Sequence, residues 1–486
     1  MTYPVSFGTS GHRGVVGEAF SLNHVRAISL AIASFVLSQR QNPKVVIGYD
    51  PRQGNSPDLS EGSFTRLIVD TLTDQGVNVD FYDSFSPTPL ISWYVRRYAM
   101  DGGIILTASH NPPQYNGIKF NPSNGAPAPS QVTEILQKKA NAYYTGAEQP
   151  VPAAVKGTYR FVNTDAEFAQ DLIVGLRTHA ALPTLDFSNT SVVVDIKHGA
   201  AGAIWRELFA ALGIKRFELS SEEPRADFGG MDPNPTKQVT LSKLRERQQA
   251  LKAPLALAND PDADRHVILD EAGANVTPEQ IAVIILDYFI SKKVAMKGIS
   301  TTVASSAIIK NAVLANHLAF DETAVGFKNF TPFLEEAEAQ NVVAFGVESS
   351  GGFTASFHVY EKCGFLPGII LLHLLKETGL PLSQLKAKVE AKYGSFTFLE
   401  EEFKFSDEKK AELLQLISTI DVNEIESKLD LKSVSINRLD GLKVVVSSGW
   451  FLVRFSGTEP LARLYAEAQD FETAKGFVER AKRLLA

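Results

Sequence analysis

Three aspartates on alternate positions, Asp260, Asp262 and Asp264 in the run Asp260-Pro261-Asp262-Ala263-Asp264-Arg265, are the most chemically loaded feature of the chain. Carboxylates this close raise one another's pKa, and a divalent cation removes the conflict. An all-oxygen donor set suits a hard cation such as Mg2+ or Ca2+. Together with Glu271 the trio has the spacing of an EF-hand loop. That loop needs a Gly where this chain has Arg265, and it needs flanking helices where strands are expected. The rival reading is a solvated acidic turn. Alongside a candidate hydroxyl nucleophile and candidate phosphate cradles, a bound cation points to phosphoryl transfer.

Those other groups lie in four loops. Thr107-Ala108-Ser109-His110-Asn111-Pro112 puts Ser109 where a strand gives way to a loop, and Pro112-Pro113 blocks continuation into a helix. Ser109 could act as a nucleophile or cap a turn, and His110 could make ordinary loop hydrogen bonds. Lys119 could reach back over this loop as a cation or proton carrier, or lie in solvent. Gly346-Val347-Glu348-Ser349-Ser350-Gly351-Gly352 sets Glu348 and Ser350 on one side of an extended loop, suited to adjacent sugar hydroxyls, unless it is a Gly-rich turn with a surface Glu. Arg454-Phe455-Ser456-Gly457-Thr458-Glu459-Pro460 offers a guanidinium fork, hydroxyls and backbone amides, the inventory for a phosphate dianion. The plainer alternative is a tight turn with Arg454 paired to Glu459. Gly8-Thr9-Ser10-Gly11-His12-Arg13-Gly14 has comparable chemistry and would bring Arg13 near a phosphate. It is neither a Walker A loop nor a Rossmann fingerprint.

The elements that must position these loops alternate between strand and helix. Residues 45–48, 77–82 and 103–106 read as strands, with amphipathic helices expected over 59–72 and 89–98. Strands recur at 191–196, 255–258, 299–303 and 342–345. Such alternation means crossover units with at least partly parallel pairing. The stretch 145–157 is rich in Pro, Ala and polar residues and reads as a linker. From 433 onward, short strands over 433–436, 443–447, 450–455 and 464–468 are separated by turns and closed by a helix over 471–485. This is an antiparallel α+β pattern. Serine, aspartate, glutamate and arginine loops each follow a strand, and ligands of α/β sheets bind beyond the carboxyl ends of strands. One composite cleft between domains is expected.

With 486 residues, the chain has length for about three or four domains at roughly 100–200 residues each. Hydrophobic residues make up 44% and charged ones 21%, ordinary for a globular protein with real cores. A net charge of −7 with scattered Lys and Arg excludes the basic stripe of a nucleic-acid binder, and anions must be bound by local donors. The single cysteine, Cys363, rules out an internal disulfide and favours a reducing compartment. No secretory leader and no bilayer-spanning run is read from the sequence, so a cytoplasmic protein with no membrane partner is expected.

Taken in order, Thr107 to Pro112, Asp260 to Arg265, Gly346 to Gly351 and Arg454 to Pro460 make the chain resemble the α-D-phosphohexomutase superfamily from end to end. The opening Phe7 to Gly14, with Ala258-Asn259-Asp260-Pro261-Asp262 and the Val325-Gly326-Phe327-Lys328 run, resembles most the bacterial phosphoglucomutases. The resemblance implies three consecutive α/β domains with mixed sheets plus a C-terminal α+β domain, with the active site in a central cleft. It implies boundaries of 1–150 for the serine loop, 151–274 for the metal loop, 275–392 for the sugar loop and 393–486 for the phosphate loop. Ser109 would carry the transferable phosphoryl group. Asp260, Asp262, Asp264 and a phosphoserine oxygen would hold Mg2+. Glu348 and Ser350 would grip sugar hydroxyls. Arg454, Ser456, Gly457 and Thr458 would bind the phosphate that is not reacting. Lys119 and Arg13 would assist proton transfer and charge balance, with His110, Arg265 and Lys328 in support. Two positions depart from relatives: Val347 stands where many have Gly, and Gly352 where phosphomannomutase-type and phosphoglucosamine-type members commonly have His.

The activity implied is interconversion of glucose 1-phosphate and glucose 6-phosphate through glucose 1,6-bisphosphate, with small hexose phosphates as partners and a monomer or homodimer as the assembly. Alternatives are a phosphomannomutase or phosphoglucosamine mutase, a phosphatase using the same metal site, and a non-catalytic phosphosugar-binding protein.

Overall fold

The computed structural model describes residues 3–8, 11–455 and 460–485. Its first sheet has six strands in the order His12–Val15, Tyr115–Pro122, Gly102–Leu106, Lys44–Tyr49, Asn78–Tyr82, Tyr159–Val162. Lys44–Tyr49 is parallel to both of its neighbours and is flanked by helices. Val45, Val46 and Ile47 are therefore buried on both faces, and the strand reads as an unbroken apolar run. Tyr115–Pro122 runs antiparallel to Gly102–Leu106, which returns Lys119 to the end of the sheet where Ser109 emerges.

Two sequence expectations shift here. The helix expected over 59–72 is Phe64–Asp74. Leu59 takes a left-handed φ of 53°, and Ser63 caps the helix by accepting from Arg66 N, so 59–63 is a turn despite its apolar spacing. The sixth strand comes from Tyr159–Val162, beyond the boundary expected at 150. The Pro-rich stretch 145–157 belongs with this sheet: Ala153 N donates to Asp74 O at 2.9 Å and Gly157 N to Thr73 O at 2.8 Å.

A second sheet follows, with strands Asn275–Val276, His266–Leu269, Ala256–Asn259, Ser191–Asp195 and Arg216–Ser220, and a third orders Ala319–Thr323, Met296–Thr302, Val343–Val347 and Phe353–Ala355. Both mix parallel and antiparallel pairs. The aspartate turn joins the antiparallel strands Ala256–Asn259 and His266–Leu269, so the strands expected on its flanks are present and no EF-hand is formed. The C-terminal sheet is wholly antiparallel, in the order Thr397–Lys404, Leu461–Ala468, Gly449–Phe455, Leu442–Val446, Ser435–Asn437, with Phe471–Leu485 packed on it. Arg454 lies at the end of strand Gly449–Phe455 rather than in the loop after it.

One apolar core runs through all three α/β units, from Val45 and Ile104 through Trp205 and Leu257 to Phe345 and Leu371. The C-terminal unit has its own core around Phe451, Leu464 and Phe477, and meets the third unit through Val303 and Ala304 against Trp450, Leu452 and Tyr465. No helix among the described residues is long and apolar enough to cross a membrane. This division predicts that Phe451→Ala, fully buried in the second core, costs about 3–5 kcal/mol in the C-terminal unit alone. In urea, protease protection of that unit should be lost earlier while the main transition stays put. A single transition shifted as a whole would show that the units unfold together.

Candidate active site

The aspartate turn is closed by Asn259, whose Nδ2 donates to Arg265 O at 2.8 Å while its Oδ1 accepts from Trp205 Nε1 at 2.8 Å. Asp260, Asp262 and Asp264 are all at most 1% exposed and present ligand atoms within 4.8 Å of one another. Asp262 Oδ1 and Asp264 Oδ1 are buried without a hydrogen-bond partner. An unmet carboxylate oxygen out of water costs about 1–3 kcal/mol or more, so these two orphaned atoms fit a trio shaped to hold a hard cation. Burial, then Asp262 and Asp264, push the Asp260 carboxyl well above the usual carboxylate range. Burial also opposes charge on Asp264, but Lys119, Lys362 and Arg265 outweigh it and hold that carboxyl well below the usual range.

Ser109 comes from the first unit to the same point. It is buried, and its Oγ donates to Asp260 Oδ2 at 2.8 Å and lies 3.3 Å from His110 Nδ1. Its φ of 53° is left-handed, a conformation that costs a non-Gly residue about 1–3 kcal/mol. Its N–H donates to Thr107 Oγ1 at 2.8 Å. Lys119 Nζ donates to Asp262 Oδ2 at 2.7 Å and Asp264 Oδ2 at 3.0 Å. Burial works against the Lys119 charge, but the two aspartates overcome it and raise its pKa, so Lys119 is a proton donor at rest. Arg13 Nη1 donates to Asn111 Oδ1 at 3.2 Å in the serine loop. Arg265 Nε lies 3.8 Å from Asp264 Oδ1. Arg265, burial and Arg13 together depress the His110 imidazole well below its ordinary value, so it sits there neutral.

The sugar-loop residues stand next to this cluster. Arg265 and Gly352 form an antiparallel bridge, and His266 N donates to Gly351 O at 3.0 Å, so the aspartate turn and the Glu348 loop are stitched together. Glu348 is 8% exposed and accepts from Ser350 Oγ at 3.4 Å. Lys328 lies in the short helical turn Phe327–Phe330, its pKa lowered by burial with Glu134 opposing. Arg454 Nε donates to Asp440 Oδ2 at 2.7 Å, and no described hydrogen bond joins it to the serine loop or the aspartates. Ser456, Gly457 and Thr458 lie outside the described residues.

Four groups at the site escape the sequence reading. Thr88 donates from its N–H to Asp262 O at 2.9 Å and from Oγ1 to Asp262 Oδ2 at 2.7 Å. Lys362 Nζ is 3.2 Å from Asp264 Oδ2, and its charge is favoured by Asp264 and Glu361 over the opposing effect of burial. Arg463 is paired directly across the sheet from Arg454, and its charge reaches His110. Asp50 and Arg52, 3.0 Å apart and fully buried, lie beneath the serine loop. Asp50-Pro51-Arg52 stands directly after a strand, where site residues gather, but nothing local signals that this pair is buried.

A buried serine facing an aspartate trio across three consecutive α/β units, with a separate antiparallel unit turned towards them, defines a phosphohexomutase. Four family profiles match in chain order: phosphoglucomutase/phosphomannomutase alpha/beta/alpha domain I over residues 4–146, domain II over 175–273, domain III over 277–393 and the C-terminal domain over 402–484. The chain therefore belongs to the phosphoglucomutase/phosphomannomutase family of the α-D-phosphohexomutase superfamily, and it is a mutase of the isomerase class. It is 29% identical to a phosphoglucosamine/phosphogalactosamine mutase of Sulfurisphaera tokodaii, over 99% of this chain and 98% of that one. It is 28% identical to a phosphoglucomutase of Komagataeibacter xylinus, over 96% and 88%. A solved structure from Thermus thermophilus matches with a TM-score of 0.79 at 26% identity, covering 100% of both chains.

The raised Asp260 carboxyl keeps a proton at pH values where an ordinary aspartate has lost it. A cation seated on the trio must drive that proton off. Mg2+ binding is therefore expected to release protons and to tighten as pH rises towards the raised pKa. Calorimetric titration of metal-stripped protein in buffers of different ionisation enthalpy measures both. Binding with no proton release would show that Asp260 is already ionised.

Proposed function

We propose that this mutase is a phosphoglucomutase. It interconverts α-D-glucose 1-phosphate and glucose 6-phosphate through a phosphoserine at Ser109 and glucose 1,6-bisphosphate. The observation that carries this reading is the buried Ser109 Oγ, 2.8 Å from Asp260 Oδ2, within a site whose fixed charges are arranged for an anion to be received. Asp260, Asp262 and Asp264 would hold Mg2+, which when bound supplies charge neutralisation and Lewis acidity at the phosphoryl oxygens.

The chain's own residues do the rest. Positioning and electrostatics supply most of the catalysis in phosphoryl transfer. Glu348 and Ser350 accept from and donate to sugar hydroxyls, which presents one free hydroxyl to the phosphoserine. Lys119, protonated at rest, delivers its proton to the Ser109 Oγ as that oxygen loses the phosphoryl group, and the proton given up by the attacking sugar hydroxyl restores the Lys119 charge. Arg13 and Arg265 balance the added negative charge, while neutral His110 contributes an imidazole without adding to the crowd of cations. Arg454, with Ser456, Gly457, Thr458 and Arg463, binds the phosphate at the far end of the sugar. That cradle accepts either end of the bisphosphate, so the intermediate reorients and the second transfer returns a phosphoryl group to Ser109. Water is a competing acceptor, and the C-terminal unit, with its separate core, is suited to close over the sugar before transfer.

The preference for glucose rests on Gly352. A Cβ there would stand 2.6 Å from Lys362 Cδ and 3.3 Å from Glu348 Oε2, so Lys362 fills the space that a larger side chain at this position would need. Mannose and glucosamine phosphates are the alternative substrates, as the names of the relatives suggest. Cys363, the single cysteine and fully buried, supports a cytoplasmic setting.

A coupled assay with Mg2+ and trace glucose 1,6-bisphosphate, run in parallel on glucose, mannose and glucosamine 1-phosphates, is expected to rank glucose first. A faster rate on another sugar would reassign the substrate, and release of free phosphate instead of isomer would indicate a phosphatase. Ser109→Ala should lower kcat by at least ~10³-fold and remove the phosphoryl mass from the peptide containing residue 109. Lys119→Met should lower kcat by about 10²–10⁴-fold. Gly352→His, by displacing Lys362, should lower kcat/KM for glucose 1-phosphate more than for mannose 1-phosphate, and equal losses would separate Gly352 from sugar choice.

A further inference from the structure

Beneath the serine loop, one guanidinium holds most of the loop's backbone. Arg52 is 1% exposed, so its five N–H donors must be met by protein. Nη2 donates to Ser109 O and, at 2.7 Å, to Asn111 O, while Nη1 donates to Pro112 O and Tyr115 O, both at 2.9 Å. Nε donates to Asp50 Oδ2 at 3.0 Å. That same carboxylate oxygen accepts from Thr107 Oγ1 at 2.7 Å, and Thr107 Oγ1 in turn accepts from Ser109 N at 2.8 Å. Ser109 is thus gripped at its carbonyl by Arg52 and at its amide by Thr107, and Asp50 orients both grips. The two together hold the left-handed backbone that turns the Oγ towards Asp260.

The outer face of this guanidinium is covered from the second unit. The Phe228 ring lies over Arg52 with its centroid 4.8 Å from Cζ. Phe228 is fully buried, and its own φ of 49° is a left-handed value that a bulky residue seldom adopts. Its unit also carries the aspartate trio. The ring therefore sets the depth of Arg52, and through it the serine loop, against the residues that face Ser109.

We propose that Arg52 is the positioning residue for the Ser109 nucleophile and that Phe228 is the cross-domain stop that fixes Arg52. This rests on the phosphoserine reading above. A planar fork meeting the carbonyls of Ser109, Asn111, Pro112 and Tyr115 cannot be replaced by a lysine's point charge. A loop displaced by about 1 Å is enough to cost ~10²-fold in rate without touching the groups that bind the sugar.

The test compares wild type with Phe228→Leu, Phe228→Tyr, Thr107→Val, Thr107→Ser and Arg52→Lys. It uses steady-state kinetics on glucose 1-phosphate and single-turnover phosphorylation of Ser109 by glucose 1,6-bisphosphate, read by intact mass and normalised to folded protein. For Phe228→Leu and Thr107→Val we expect kcat and the phosphorylation rate to fall by about 10–10²-fold with KM within about twofold of wild type. The ring-keeping Phe228→Tyr and the hydroxyl-keeping Thr107→Ser should recover most of the loss. Arg52→Lys should fall further, and if it does not fold, the other variants decide. Unchanged kcat in Phe228→Leu and Thr107→Val, or a loss confined to KM, overturns the proposal while leaving the phosphoserine reading intact. A wild-type enzyme that takes up no phosphoryl group on Ser109 overturns the phosphoserine reading itself, and this proposal with it.

Discussion

Negative charge shut away from water governs how the three α/β units come together. Asp260, Asp262 and Asp264 belong to the second unit with Arg265, yet the two lysines that pair with them come from elsewhere: Lys119 from the first sheet and Lys362 from the third unit. Removing one partner of a buried pair typically costs about 3–5 kcal/mol, because the other charge is left uncompensated. The aspartate turn is therefore stable only where the flanking units bring their lysines to it. Assembly of the α/β core and assembly of the site are one event, and the continuous apolar core through all three units is the packing counterpart of that electrostatic requirement.

The same balance of charge explains why the site is crowded with donors that have different jobs. Lys119 is held protonated by Asp262 and Asp264, whereas His110, flanked by Arg13 and Arg265, is kept neutral. Two bases of one site are set to opposite protonation states, Lys119 by its aspartates against burial and His110 by its arginines together with burial. Thr88 adds a neutral donor to Asp262, which fixes that carboxylate without adding charge.

Much of this is readable in the chain. The doubly buried strands announce themselves as apolar runs, and Ser109, Asp260 and Glu348 each follow a strand as expected. What escapes does so for identifiable reasons. Asp50-Pro51-Arg52 has the composition of a surface turn, and nothing local says that the guanidinium will be buried. Glu361-Lys362 reads as a solvated pair because the partner that buries Lys362, Asp264, is distant in sequence. Arg463 sits in a strand where its partner across the sheet, Arg454, is visible only once register is known. The strand Thr397–Lys404 carries Glu400, Glu401 and Glu402 in place of apolar alternation, since it lies at a sheet edge with Glu400, Glu402 and Lys404 on an exposed face and the other face only half-buried. The helix begins at 64 instead of 59 because apolar spacing cannot report a left-handed Leu59.

Asp440 makes a modest pair of contacts whose meaning is mechanical. One carboxylate oxygen accepts both from Arg454 Nε and, at 2.9 Å, from Val325 N, on the segment of the third unit that leads to Lys328. Arg454 is thus tied to the third unit through one carboxylate oxygen, beside the apolar contact of Val303 and Ala304 with Trp450, Leu452 and Tyr465. In the proposed reaction, a dianion that drew the arginine away would leave the backbone tether in place, so the C-terminal unit could swing about a fixed pivot, and each closure over a turned intermediate would begin from the same starting point.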